Sequence, residues 1–250
     1  KPGLFATHLR ALDRLTQYRI QANGYRPAMT ASFDAAHLPS DPIAVELRLK
    51  QDKGFDAVVQ TAAFTAAADA KIYTRIARRE DQGGLQVIDG IVDESSATST
   101  IAADSAGRFH IPPQNEPFVC FIWHETGYAE LMDVELYEQP TIVLKPWQVI
   151  QGTLRKQAAP AENVKVVLLR NHEISIHSES PCVVYQFTRT TGTDGTYQFD
   201  RVVAGEWEEI ITWDDTQVNF DQPAYLQYSS VSVVPGQSLI QHPGNQAVTV

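Results

Sequence analysis

His172 and His177, in the stretch RNHEISIHSES, are the closest pair among the seven histidines of the chain, and Glu173 and Glu179 stand beside them as further metal-ligand types. On a strand, a separation of five aims two side chains at opposite faces, so joint ligation needs a loop conformation. The spacing favours ordinary loop histidines. A second group, Asp214, Asp215, Asn219 and Asp221 in TWDDTQVNFDQPAY, offers oxygen ligands of the type calcium prefers, without the spacing of a known calcium loop. It reads as a solvated polar loop, with calcium binding left open. The same segment carries Trp213, Tyr225 and Tyr228, which would make an aromatic platform for sugar rings if exposed. Alternating aromatics more often face a core, so these three are candidate ligand-binding residues for glycans and nothing stronger.

Other chemistry finds no footing. There is no Gly-x-Ser-x-Gly elbow, and Ser105 and Ser238 sit beside glycine as turn residues do. Neither a phosphate-binding Walker loop nor a dinucleotide glycine fingerprint occurs, and DQGG at 81–84 reads as a loop. No catalytic residue, cofactor-binding residue or metal ligand is therefore assigned, and the chain is expected not to be an enzyme. The two cysteines, Cys120 and Cys182, fall in different parts of the repeat pattern described next and read as small buried hydrophobes.

The chain has 250 residues, 43% of them hydrophobic, which is ample core material for one large domain or several small ones. A net charge of -10, with no basic cluster beyond Arg78-Arg79, opposes a nucleic-acid backbone or an anionic membrane surface as partner. The longest apolar run, FVCFIW at 118–123, is far short of the roughly 20 residues that span a bilayer. The start, KPGLF without Met, is expected of a processed chain or a fragment.

The elements that would have to position any site are strands. ADSAGRFHIPPQNEPFVCFIWHETGYAE (103–130) and GTDGTYQFDRVVAGEWEEIITW (192–213) both read as a turn, an alternating strand, a Pro or Gly break and a second strand, with Asp104 aligned on Asp194. A weaker third copy aligns YRIQANGYRPA (Tyr18 to Ala28) with FIWHETGYAEL (Phe121 to Leu131). Helical periodicity is nearly absent. FTAAADAKIYTRIARR (Phe64 to Arg79) reads as a loop and then a strand, while LFATHLRALDRLTQYRI at the start suits a short helix or the remnant of a truncated domain.

The strings DSAGRF, TDGTYQF, GYRPA, GYAEL and LKPWQVIQGTLRKQAAPAENVKVVLL resemble tandem carboxypeptidase regulatory-like domains, best over residues 43 to 215. The resemblance implies an all-β chain of transthyretin-like, Ig-like antiparallel β-sandwiches in a rod-like array. Its expected parts are a partial domain at 1–47, sandwiches at 48–144 and 145–235, and a tail or further domain at 236–250. It also implies bacterial, extracytoplasmic placement, at the periplasm or cell surface, and a structural role among protein partners or further domains of the same polypeptide. A related sandwich serves intradiol ring-cleaving dioxygenases, whose iron needs a close His-x-His after such a turn-strand unit. Here no histidine follows Tyr197 until His242, so that chemistry is not expected.

Overall fold

The computed structural model describes residues 18–34, 44–76, 84–114, 116–156, 158–170, 181–212, 226–234 and 239–241. The chain divides into two compact units, Lys1–Phe55 with Ile111–Asn115, and Asp56–His110 with Glu116–Val250. Strands dominate the second unit, whereas the first has two short strands of two residues each among its described residues, and the described residues contain a single α-helix, α1, of six residues at Asp133–Glu138. No helix among them is long and apolar enough to cross a membrane.

In the first unit, β1 (Arg19–Ile20) pairs antiparallel with β2 (Ala28–Met29). Tyr25 bridges to Gln51, and the Asp52 amide donates to the Gly24 carbonyl at 2.9 Å. Gly24 closes a turn here, whereas Gly127 sits within a strand opposite His124, so the two glycines aligned by sequence do different work.

The strands that follow, in chain order, are β3 (Phe55–Gln60), β4 (Lys71–Ile76), β5 (Leu85–Ile88), β6 (Ile91–Val92), β7 (Ser99–Ala102), β8 (Arg108–Ile111), β9 (Phe118–His124) and β10 (Gly127–Met132). After α1 come β11 (Thr141–Val143), β12 (Lys145–Pro146), β13 (Gln148–Thr153), β14 (Arg155–Lys156), β15 (Ala159–Pro160), β16 (Lys165–Arg170) and β17 (Val183–Thr190). The last are β18 (Thr196–Val202), β19 (Gly205–Thr212), β20 (Leu226–Val233) and β21 (Leu239–Gln241). Their sheet orders are β12-β10-β9-β4-β7, β11-β3-β8, β18-β13-β21 and β20-β19-β16-β17-β5-β6, with β14-β15 as a separate ribbon. The all-β expectation holds, including the strand reading of Lys71–Ile76, whose Ile72 and Tyr73 are buried. The opening segment 1–17 lies outside the described residues.

The apolar run FVCFIW becomes β9, and its residues from Phe118 to Ile122 are all buried. Successive side chains of a strand point to opposite faces, so such a run is stable only where both faces are covered. On one face Val119 and Phe121, with Tyr73 and Tyr128, join the cluster that holds Tyr185, Phe187, Trp207, Ile150 and Phe199. Phe121 and Tyr185 meet edge to face at 6.1 Å, and Phe187 meets Phe199 at 6.2 Å. One face of the six-stranded sheet thus shares its core with residues of both the five-stranded sheet and the sheet built on β13.

Two turns repeat one bonding scheme. Gly107 donates to the Asp104 carbonyl and its own carbonyl accepts from Val59, whose carbonyl accepts from Ala67. Gly195 donates to the Gly192 carbonyl and its own carbonyl accepts from Leu154, whose carbonyl accepts from Ala161. Both glycines have positive φ, 75° and 76°, and a Cβ at either would run into the Val59 or Leu154 carbonyl. The scheme matches Asp104 to Gly192 and Gly107 to Gly195, two residues away from the alignment on Asp104 and Asp194. In each turn an Asp side chain still braces the backbone: Asp104 Oδ1 accepts from the Ala106 and Arg108 amides, and Asp194 Oδ1 from the Thr196 amide and hydroxyl.

A third turn lies outside the repeat pattern. Asp89 and Gly90, with φ of 51° and 78°, join β5 to β6 in the left-handed pairing that a two-residue hairpin requires. This hairpin leaves its chain neighbours and adds β5 parallel to β17, Leu85 to Val183 through Ile88 to Gln186. Its tip is held on three sides. Asp89 Oδ1 accepts from the Thr188 amide (2.9 Å) and from Arg189 (2.8 Å), Trp123 donates to the Gly90 carbonyl (3.0 Å), and the space for a Gly90 Cβ is occupied by Arg201 Cβ at 2.6 Å.

Gly90→Ala is expected to destabilise the protein by about 1–3 kcal/mol, from backbone strain and the Arg201 clash together. Urea unfolding monitored by tryptophan fluorescence checks this, and an unchanged midpoint would show that the turn carries no strain-sensitive contact.

Candidate functional site

Of the residues proposed from sequence, Trp213 and Tyr225 lie outside the described residues, as do His172, His177, Glu173, Glu179 and the Asp214–Asp221 stretch. Tyr228 lies in β20, in register with Ile210 of β19. Among the described residues, no three His, Cys, Asp or Glu side chains converge to hold a metal ion.

A concavity among the described residues is lined by residues with no sequence motif. It encloses about 290 Å³ between β10, α1, Lys145, the end of β16 and the start of β17. Glu130, Glu135, Lys145 and Arg170 give it charge, Tyr128 a phenol and Cys182 a thiol, while Val119, Leu131, Met132, Pro181 and Ala204 make the rest apolar. Each polar group has a reason to be where it is. Tyr128 and Glu130 fall on the same face of β10 because they are two residues apart. Glu135 is in the first turn of α1, where its carboxylate accepts from the Met132 amide at 2.8 Å and caps the helix.

At the pocket's edge the charges are spent on one another. Glu130 Oε2 accepts from Arg170 Nη1 at 2.9 Å and from the Tyr185 hydroxyl at 2.7 Å, and the Arg170 guanidinium lies over the Tyr185 ring at 5.2 Å. Both ion-pair side chains are about three-quarters covered, 22% and 24% exposed, so this is a screened and hydrogen-bonded pair rather than a free charge. Tyr128 accepts from the Ala204 amide at 2.7 Å. Burial, reinforced by the Glu130 charge, pushes the Tyr185 phenol well up, and burial raises Tyr128 as well. Burial also raises the Cys182 thiol, and Glu130 adds to the rise. For Arg170, burial works against the cation, but the neighbouring Glu130 and Tyr185 outweigh it and the guanidinium is held charged more firmly than usual. Catalytic nucleophiles need the opposite treatment, a lowered pKa or an adjacent base.

A second polar cluster is sealed in the core. Glu209, fully buried on β19, accepts from the Tyr197 hydroxyl at 2.5 Å and from Ser229 at 3.0 Å. No cation takes part in these contacts. Burial raises the Glu209 carboxyl above the ordinary glutamate range, the two hydrogen bonds opposing it, and burial raises Tyr197 as well. The carboxylate is fully buried, and the cluster organises the core.

The remaining groups are local. His110 meets Asp56 at 2.8 Å on an exposed strand pair, with no hydroxyl or thiol bonded to the ring among the described residues. His124 bonds Thr126 within its own hairpin turn. Both cysteines are free: Cys120 is buried, its thiol pushed up to about 12, and Cys182 is partly open to the pocket, which departs from the fully buried reading made from sequence.

No family model matches the chain, and no curated protein matches it. Among solved structures it is similar to a streptococcal ancillary pilin, at 10% identity over 90% of this chain and 74% of that one, with a TM-score of 0.32. It is also similar to GBS52, the minor pilin of Streptococcus agalactiae (10% identity, 76% and 94% covered, TM-score 0.33). A third is the Bacillus anthracis TIE protein (9% identity, 77% and 33% covered, TM-score 0.28). Likenesses of this depth carry no functional argument, and the β architecture rests on the strands and core described above.

The Glu209 cluster sets a pH dependence with a definite sign. A carboxyl raised by folding stabilises the folded state fully below its unfolded value, and that contribution is lost as the pH rises through the folded value. Glu209→Gln, which keeps an acceptor for Tyr197 and Ser229 without the charge, is expected to melt increasingly above wild type as the pH goes from 4.5 toward 8. Thermal melts across that range check it, and a difference that shrinks with rising pH would overturn it.

Proposed function

We propose that this chain is a non-catalytic structural or interaction module, built to hold and present surfaces to protein partners or to further domains of the same polypeptide. One observation carries the reading. Where ionisable groups meet in the described residues, they are bound to each other and the phenols and thiols beside them are shifted toward their neutral, unreactive forms. The pocket is consequently a packed seam with an opening, not a preorganised reaction site.

The finer parts of the proposal follow from the sequence. The matched turns at Gly107 and Gly195 support a reading of related β-sandwiches in series, with the 48–144 and 145–235 segments as their sequence extents. The resemblance to carboxypeptidase regulatory-like domains supports bacterial, extracytoplasmic placement.

Purified protein assayed against ester, peptide and phosphomonoester substrates is expected to show no turnover that Glu130→Gln or Arg170→Met removes. Turnover abolished by either substitution in a protein that still folds would falsify the proposal.

A further inference from the structure

Among the described residues the four larger sheets end in eight edge strands, and seven of them carry some device that limits pairing. β6 and β12 have two residues, β11 and β21 three, and β7 four. β8 presents Arg108 and His110, and β18 presents Asp200 and Arg201 and faces a register shift at Gln148/Ile150. These are the ordinary means of discouraging edge-to-edge association. β20 has none of them. It runs for eight residues, LQYSSVSV, with no charge and no proline, and it pairs with β19 without a shift from Gly205↔Val233 to Thr212↔Leu226. Among the described residues β19 is its one partner strand, so every second residue of β20 points its backbone N–H and C=O away from the sheet.

We infer that β20 is a homotypic docking edge, which pairs antiparallel with β20 of a second copy of this chain about a two-fold axis. This rests on the interaction-module reading above and names one partner for it. Three features select a second copy over a charged partner strand. Ser230 and Ser232 are exposed; the Ser232 hydroxyl donates to Glu206 at 2.6 Å and keeps its oxygen as an acceptor, and since a serine hydroxyl both donates and accepts, serine rows are complementary to themselves. On the other face Val231 and Val233 are buried, and a paired copy continues that apolar row across the axis. The nearest carboxylates on the serine face, the exposed Glu206 and the half-buried Glu208, are one strand further in, opposite Ser232 and Ser230. Across the axis, the β19 backbones that carry these glutamates then stand three strand spacings apart, roughly 14 Å.

Sedimentation velocity of the full chain at several concentrations tests this, with far-UV circular dichroism confirming that each variant folds. Wild type is expected to form dimers, and Ser230→Lys, which sets like charges opposite each other across the axis, to weaken the dimer about tenfold or more. Thr100→Lys, the same charge change on edge strand β7, is expected to leave association unchanged. A monomeric wild type, an unaltered dimer in Ser230→Lys, or equal weakening by Thr100→Lys overturns the inference. Each of those results leaves the turnover assay to judge the module reading on its own.

Discussion

The second unit depends on the insertion of one short hairpin. A two-stranded ribbon of Leu85 to Val92 is marginal by itself in water, yet Leu85 and Val87 are completely buried because β5 lies against β17 and under the aromatic core. Without it, the β17 edge from Val183 to Gln186 would be unpaired and Tyr185 would lose cover beside Phe121. The Asp89-Gly90 turn makes the arrangement specific. Its carboxylate and carbonyl are satisfied only when Thr188, Arg189 and Trp123 come from two different sheets to the same spot. The consequence is a shared core, in which residues from Tyr73 to Val233 belong to one cluster.

The polar interior follows from the same geometry. A seam between sheets brings side chains from separated strands into low dielectric, where an unpaired donor or charge costs more than in water. Glu130 answers this by taking both Arg170 and Tyr185, and the neutral phenol supplies a second hydrogen bond without adding charge. The result fixes β10 relative to β16 and β17 more tightly than apolar contact alone. A carboxylate oxygen that already accepts two hydrogen bonds is also a weaker base than a free one.

Much of the fold was legible from local signals. The alternation of KIYTRI, the bracing aspartates of two turns and the run FVCFI, buried on both faces, each follow from propensities a few residues long. The β5 pairing was not legible in this way: its partner strand lies about a hundred residues downstream in the chain, as the Asp89 bonds to Thr188 and Arg189 show, and parallel pairing leaves no adjacent turn to announce it. Asp89-Gly90 between Ile88 and Ile91 was a hairpin signal present in the sequence, but its contacts with Trp123 and Arg201 were not. The turn at Gly195 misled by two residues because Asp194 braces it from a position different from that of Asp104. The pocket was invisible for a related reason, since Glu130, Glu135, Lys145, Arg170 and Cys182 share no motif and meet only through the sheet order.

The two matched turns also show how one hydroxyl alters a core. The bonding scheme equates Phe109 with Tyr197 and, two residues before Val59 and Leu154, Ala57 with Gly152. Phe109 and Ala57 are both buried, with no polar atom beyond the backbone to satisfy. Tyr197 carries a hydroxyl into the same kind of position, and a buried hydroxyl without a partner is costly. Its ring lies where a Gly152 side chain would be, and its oxygen reaches Glu209, which in turn takes Ser229. The glycine makes the room, the glutamate accepts the proton donor, and the serine fills the second carboxylate oxygen. A buried glutamate with no cation in these contacts is therefore explained by the tyrosine it serves, and removing that tyrosine's hydroxyl would take the donor from one buried carboxylate oxygen.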